Sequence, residues 1–122
     1  MRRFYRTFKS QELFRRLSRL SPVAIELYGF LLEKCDWRLG RHVSNSATVA
    51  KELNVSERSI QRANKELEKA DLLRVRRGIY AMNPEFNWGG RSWNIAKATY
   101  YTMNRQPAQI IDFAEASGNA FK

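Results

Sequence analysis

Arg58, Arg62, Lys65 and Lys69 follow one another at intervals of three or four residues, with Gln61 beside them. On a helix that spacing gathers them along one side. The chemistry available there is hydrogen bonding to base edges and neutralisation of phosphate. Arginine can donate two parallel hydrogen bonds to guanine O6 and N7, and glutamine can pair in the same two-pronged way with adenine. We expect Ser59, Gln61 and Arg62 to read bases, Arg58 and Lys65 to read bases or hold phosphate, and Lys69 to extend the same basic face. The bland alternative is a solvated helix face with ordinary ion pairs, such as Arg62 with Glu66 four residues on.

Side chains with that task need a rigid carrier, and the flanking residues predict one. Ser44 is expected to cap a helix whose Val49, Ala50 and Leu53 face inward. Asn54-Val55 makes the turn, because asparagine tolerates the left-handed backbone. Ser56 caps a long helix with Ile60, Ala63, Leu67 and Ala70 inward, closed by Leu72 and Leu73. A hairpin follows, two strands turning at Arg77-Gly78 and stopped by Asn83-Pro84. Helix, turn, helix and basic hairpin form the outline of a winged helix-turn-helix, whose second helix enters a DNA major groove. The expected fold class is therefore mostly α with a small β-hairpin wing.

Other cations fit the same picture. Ser44 and Ser56 mark helix N-termini, which suit phosphate oxygens. Arg74, Arg76 and Arg77 are expected on the DNA backbone or in the minor groove, although charge at a hairpin edge also discourages sheet pairing. Arg2, Arg3, Arg6 and Lys9 form a basic N-terminal arm that either adds phosphate contacts or is a solubilising fringe.

The rest of the chain reads as support. Phe4, Arg6 and Phe8 alternate with Tyr5 and Thr7, as in a short strand or extended arm. Ser10 is expected to cap a helix over residues 11–19. Ser21-Pro22 is a strong helix start, and that helix should run to about Asp36. Its apolar residues cover more than one stripe, so it is central to a core or shared with a second subunit. Residues 41–43 read as a short strand. Trp93, Ala96, Tyr100 and Met103 have helical spacing, and Ile110, Ile111 and Phe113 suggest one more turn. We divide the chain into a DNA-binding domain over residues 1–105 and a C-terminal tail or short helix over 106–122.

Composition bounds the function. The 122 residues carry a net charge of +10, which points to a polyanionic partner. The excess is placed unevenly: residues 1–20 hold seven Arg or Lys against one acid, whereas residues 21–55 hold four of each. A basic membrane-surface protein competes with this reading, but no apolar run approaches a membrane span. The lone Cys35 allows no internal disulfide, so a reducing cytoplasm is the expected compartment, and Cys35 reads as core packing. One histidine, His42, and one cysteine are too few for a zinc site. His42 reads as a surface residue, and Trp88-Gly89-Gly90 as a chain turn. No phosphate-binding loop pattern is present. These features describe a binder without a cofactor, not an enzyme.

The run LSPVAIELYGFLLEKC, then VSNSATVAKELNVSERSIQRANKELEKADLLRV, then GIYAMNPEFNWGG resembles the plasmid replication proteins of the Firmicute RepL type. The strand ending in Asn83-Pro84, followed by Phe86, Trp88 and Gly89, is its more distinctive part. The resemblance covers residues 4–105 and implies a sequence-specific protein that binds double-stranded origin DNA and recruits host replication proteins. A winged-helix transcriptional repressor would use the same contacts, and a non-specific nucleic-acid binder would use the charge alone. A homodimer is expected, with segment 93–103 and the apolar helix of residues 22–36 as its candidate surfaces.

Overall fold

A computed structural model describes residues 4–104. Arg2, Arg3, the tail over 106–122 and the suggested turn at Ile110, Ile111 and Phe113 lie outside the described residues. The molecule is mostly helical with small antiparallel sheets. Its elements are β1 (Arg6–Thr7), α1 (Ser10–Leu17), α2 (Pro22–Lys34), β2 (Arg41–Val43), α3 (Ser46–Leu53), α4 (Glu57–Lys69), β3 (Leu73–Arg76), β4 (Ile79–Met82) and β5 (Asn87–Trp88). A 3-10 helix, Ser92–Lys97, then leads into α5 (Thr99–Asn104).

Local chemistry explains most boundaries. Pro22 opens α2 where its missing N–H is harmless, and the Ser21 hydroxyl accepts from the Ala24 amide. The helix ends at Lys34, slightly short of the expected Asp36. Its Cys35 cap is extended, and Asp36 forms a bridge with Arg41 that starts the return into β2. Ser10 does not cap α1: the cap is Lys9, in the left-handed region at φ 51°, with no side-chain bond. The chain must turn there, because Phe8 is still tied to Phe86 in sheet fashion (Phe8 N–H to the Phe86 carbonyl, 2.8 Å).

Two sheets result. The larger has strand order β2-β4-β3, and the smaller pairs β1 with β5. Between β3 and β4 the two loop residues, Arg77 and Gly78, both have positive φ (44° and 81°). That pattern matches the twist of a two-residue hairpin. Asn83 then ends the hairpin structurally: its side chain donates to the Asp71 carbonyl at 2.7 Å and accepts from the Glu85 amide. The Asn83-Pro84 motif is therefore a buried joint between α4 and the second sheet.

The core unites Leu27 and Leu31 of α2, Val49 of α3, Ile60, Ala63 and Leu67 of α4, and Leu72, Leu73, Tyr80 and Met82 of the hairpin. α2 buries Ala24, Leu27, Tyr28 and Leu31, whereas Pro22, Ile25, Glu26, Gly29 and Glu33 are exposed. Its apolar excess is thus largely consumed inside the subunit. The helix expected through Trp93, Ala96, Tyr100 and Met103 is broken in two: Ala98 is buried and non-helical between the 3-10 turn and α5. The Thr99 amide donates to the Leu39 carbonyl there, which redirects the chain. Tyr100 is buried while Trp93 and Ala96 face solvent, so the four residues do not form one stripe.

Candidate nucleic-acid interface

The central element is α4, and its local sequence fixes both its start and its facing. Ser56 caps it, accepting from the Ser59 amide at 3.0 Å. The turn before it uses Asn54 at φ 57° and ψ 48°, the left-handed conformation asparagine tolerates. Ile60, Ala63, Asn64 and Leu67 are buried against α2, α3 and β3. Arg58, Gln61, Arg62, Lys65 and Lys69 are all exposed. At 100° per residue, Arg58, Arg62, Lys65 and Lys69 fall within a narrow sector opposite the buried set, with Gln61 at its margin. From Arg58 to Lys69 this basic face runs about 16 Å.

Where the acids of α4 point is the informative part. Glu66 does not pair with Arg62. Its two carboxylate oxygens accept from the Ser21 amide and the Ser21 hydroxyl at 2.8 and 3.0 Å. Glu68 accepts from the Val75 amide and from Arg76, both at 2.8 Å. Both carboxylates are thereby drawn towards neighbouring elements. Among the described residues, Arg58, Arg62, Lys65 and Lys69 have no ion-pair partner. Glu57, in the first turn, is the acidic exception at that end.

Two serines behave differently from expectation. Ser44 does not cap α3; Asn45 does, its side-chain oxygen accepting from the Thr48 amide at 2.8 Å. The Ser44 amide instead donates to the Gly78 carbonyl at 2.9 Å, prolonging the β2–β4 pairing and pinning the hairpin turn. The helix can start only once that pairing ends. Ser59 is half-buried at the flank of α4, its hydroxyl 2.9 Å from that of Ser56, so it stands outside the exposed basic sector.

The three hairpin arginines have three different surroundings. Arg77 is exposed at the turn, with no ion pair among the described residues. Arg76 is exposed but pairs with Glu68 of α4 and donates to the Val75 carbonyl. Arg74 is half-buried, with its guanidinium carbon 4.3 Å from the centre of the Tyr100 ring. Burial raises the Tyr100 pKa and the Arg74 charge opposes that rise. Arg74 is thus a packing residue that seats α5 on the hairpin. Arg6 stands on β1, opposite Trp88 in the smaller sheet.

Thr48 and Lys51 were not among the expected contacts. They line a cleft of about 420 Å³ between the start of α3 and the start of α4, together with Ala47, Val55 and Glu57. The helical period of α3 carries the signal: with Val49, Ala50 and Leu53 inward, Thr48 and Lys51 must face out. His42 lies in β2 with its ring edge-on to Phe30, and Cys35 is fully buried. Among the described residues no group of His, Cys, Asp and Glu is placed to hold a metal ion, and no helix is long and apolar enough to cross a membrane. No protein-family model, curated protein or solved structure matches this chain.

Proposed function

We propose that this protein is a winged helix-turn-helix that binds double-stranded DNA in a sequence-specific manner. α4 lies in the major groove and the tip of the β3–β4 hairpin lies against the backbone. The observation that carries this reading is the basic face of α4, whose cations have no ion-pair partner among the described residues. Arg62, with Gln61 beside it, is the main base reader; Arg58 and Lys65 read bases or hold phosphate. Lys51 and Arg77 neutralise phosphate on either side.

Within that class, the narrower role we propose is binding of plasmid origin DNA to initiate replication, with host replication proteins as partners. The RepL-type motifs support it. A transcriptional repressor would need the same contacts, and deletion separates the two: loss of an origin-bearing plasmid supports initiation, whereas derepression without copy loss supports the repressor. The primary test is selection of bound sequences from a random duplex pool at about 150 mM salt, where non-specific binding is weak. A recovered motif is the expected outcome. An inverted repeat one helical turn apart would add the homodimer. Binding with no motif, lost as salt rises, would overturn the specific reading in favour of charge alone.

A further inference from the structure

We propose that the aromatic surface around Trp88 is a second nucleic-acid site, one that takes single-stranded DNA. It extends the DNA-binding reading above, but its residues are different ones. Trp93 is 72% exposed, Phe4 67%, and Tyr5, next to Phe4 in sequence, is exposed as well. These rings rest on a rigid base. Tyr5 lies 5.5 Å from Trp37, tilted by only 30°, and Trp37 meets Trp88 edge-on at 6.3 Å. The Trp88 indole N–H donates to the Arg91 carbonyl at 3.0 Å, and the Arg91 guanidinium sits 5.2 Å from the Trp93 ring centre.

Gly89 makes the close packing possible. A Cβ there would meet both Trp37 Cγ and the Phe4 carbonyl at 2.5 Å, so only glycine lets the first strand and the Trp37 ring close together. The surroundings are cationic. Arg6, Arg91 and Lys97 lie in these segments beside one ion pair, Arg38 with the carboxylate of Asp36 at 3.0 Å.

Exposed rings beside cations are the chemistry of single-strand binding. Bases stack on the aromatic faces while the cations follow the phosphates. A duplex keeps its base faces inside its own stack, so it cannot use such rings. The main packing partners of α4 are α2, α3 and β3. This surface is built instead on β1, β5, the turn at Trp37 and the 3-10 helix. A protein that holds a duplex with α4 therefore has a separate place for a strand released from it.

The test is fluorescence anisotropy of a labelled 20-mer of thymidylate and of the selected duplex, or a random duplex if selection finds no motif. The full chain is compared with Trp93→Ala, Arg91→Ala and Arg62→Ala. Trp93→Ala should weaken the single strand about 5- to 150-fold, as loss of one stacking platform does, and leave duplex binding within about twofold. Arg62→Ala should do the reverse. Because Trp93 is exposed, its replacement should leave the melting temperature unchanged. Single-strand binding of Trp93→Ala equal to wild type would overturn the proposal. So would parallel losses of both ligands in both variants, which would place them on one face. Tighter binding of a uridylate 20-mer than of thymidylate would overturn the assignment to DNA. Failure of the duplex reading alone is distinguishable, since Trp93 and Arg62 report on different ligands.

Discussion

In α1 the arginines are engaged within the molecule, whereas the cations on the outward face of α4 have no ion-pair partner among the described residues. Arg15 and Arg16 both grip Glu12, at 3.1 and 2.8 Å; the Arg16 hydrogen bond, with the nearby arginine charges, holds the Glu12 carboxyl below its usual pKa. Arg16 also donates to the Ala70 carbonyl at 2.7 Å and lies over the Phe86 ring. A cation at the C-terminal end of α4 satisfies an orphan carbonyl and complements the helix dipole. In α4 the carboxylates of Glu66 and Glu68 are directed to Ser21, Val75 and Arg76, and the outward cations have no ion-pair partner among the described residues. Charge count alone would rank the two helices together. The direction of the neighbouring acids separates an arginine held within the fold from one proposed to bind DNA.

The largest effects should appear where this contrast is attacked directly. Arg62→Ala is expected to cost about 1–3 kcal/mol of specific binding, about 5- to 150-fold in Kd, and to relax preference at one base position. Its melting temperature should stay at wild type. Arg16→Ala should invert that pattern. Loss of a partly exposed charged hydrogen bond predicts about 1–2 kcal/mol of lost stability, read by urea unfolding, with duplex affinity unchanged. Similar behaviour of the two variants would dissolve the distinction.

Glu66→Gln sharpens it further. Removing the charge that holds Ser21 should lower stability by about 1 kcal/mol, a fall of about 4–8 °C in Tm. Duplex affinity should stay within about twofold. Tighter DNA binding with no loss of stability would mean that Glu66 had been neutralising Arg62 after all.

The hairpin offers a smaller version of the same comparison. Arg77→Asn, chosen because asparagine tolerates the positive φ at this position, should flatten the salt dependence of binding by about one unit. Arg74→Ala should leave that slope intact and loosen α5 instead, seen as faster amide exchange over Thr99–Asn104.

The smallest effect concerns pH. Hydrogen bonds from the Arg38 side chain and amide lower the Asp36 pKa. The stability gained is present above the unfolded carboxylate pKa and is lost as pH falls through the lower folded value. Water screens this exposed pair, so Asp36→Asn should remove only about 0.3 kcal/mol of acid sensitivity between pH 5 and 2.

Much of this architecture was legible because it depends on near neighbours. Ser21-Pro22, Asn54 and Ser56 do what their local chemistry suggests, and the hairpin turns at Arg77-Gly78. The inward set of α4 followed from its period. Misreadings arose where a distant segment intervened. Ser44, Asn45 and Ser46 are all plausible caps, and only pairing of Ser44 with Gly78 selects Asn45. The stripe from Trp93 to Met103 looked helical, but Leu39 captures the Thr99 amide and breaks it. Ser10 looked like a cap until β1 pairing required the turn at Lys9.

The basic face was legible as a pattern of charges, but its availability was not. That depends on Glu66 reaching Ser21, 45 residues away, and on Glu68 reaching Val75 across the start of the hairpin. The aromatic surface was less visible still, since Tyr5, Trp37, Trp88 and Trp93 are scattered along the chain. Sequence by itself determined the caps at Ser21 and Ser56, the turns at Asn54 and Arg77-Gly78, and the inward or outward sense of α3 and α4, because these are set by backbone preference and by a period of 3.6 residues. The tertiary structure alone decided which charges remain unpaired and which aromatic rings meet, because both depend on contacts between residues that only folding brings together.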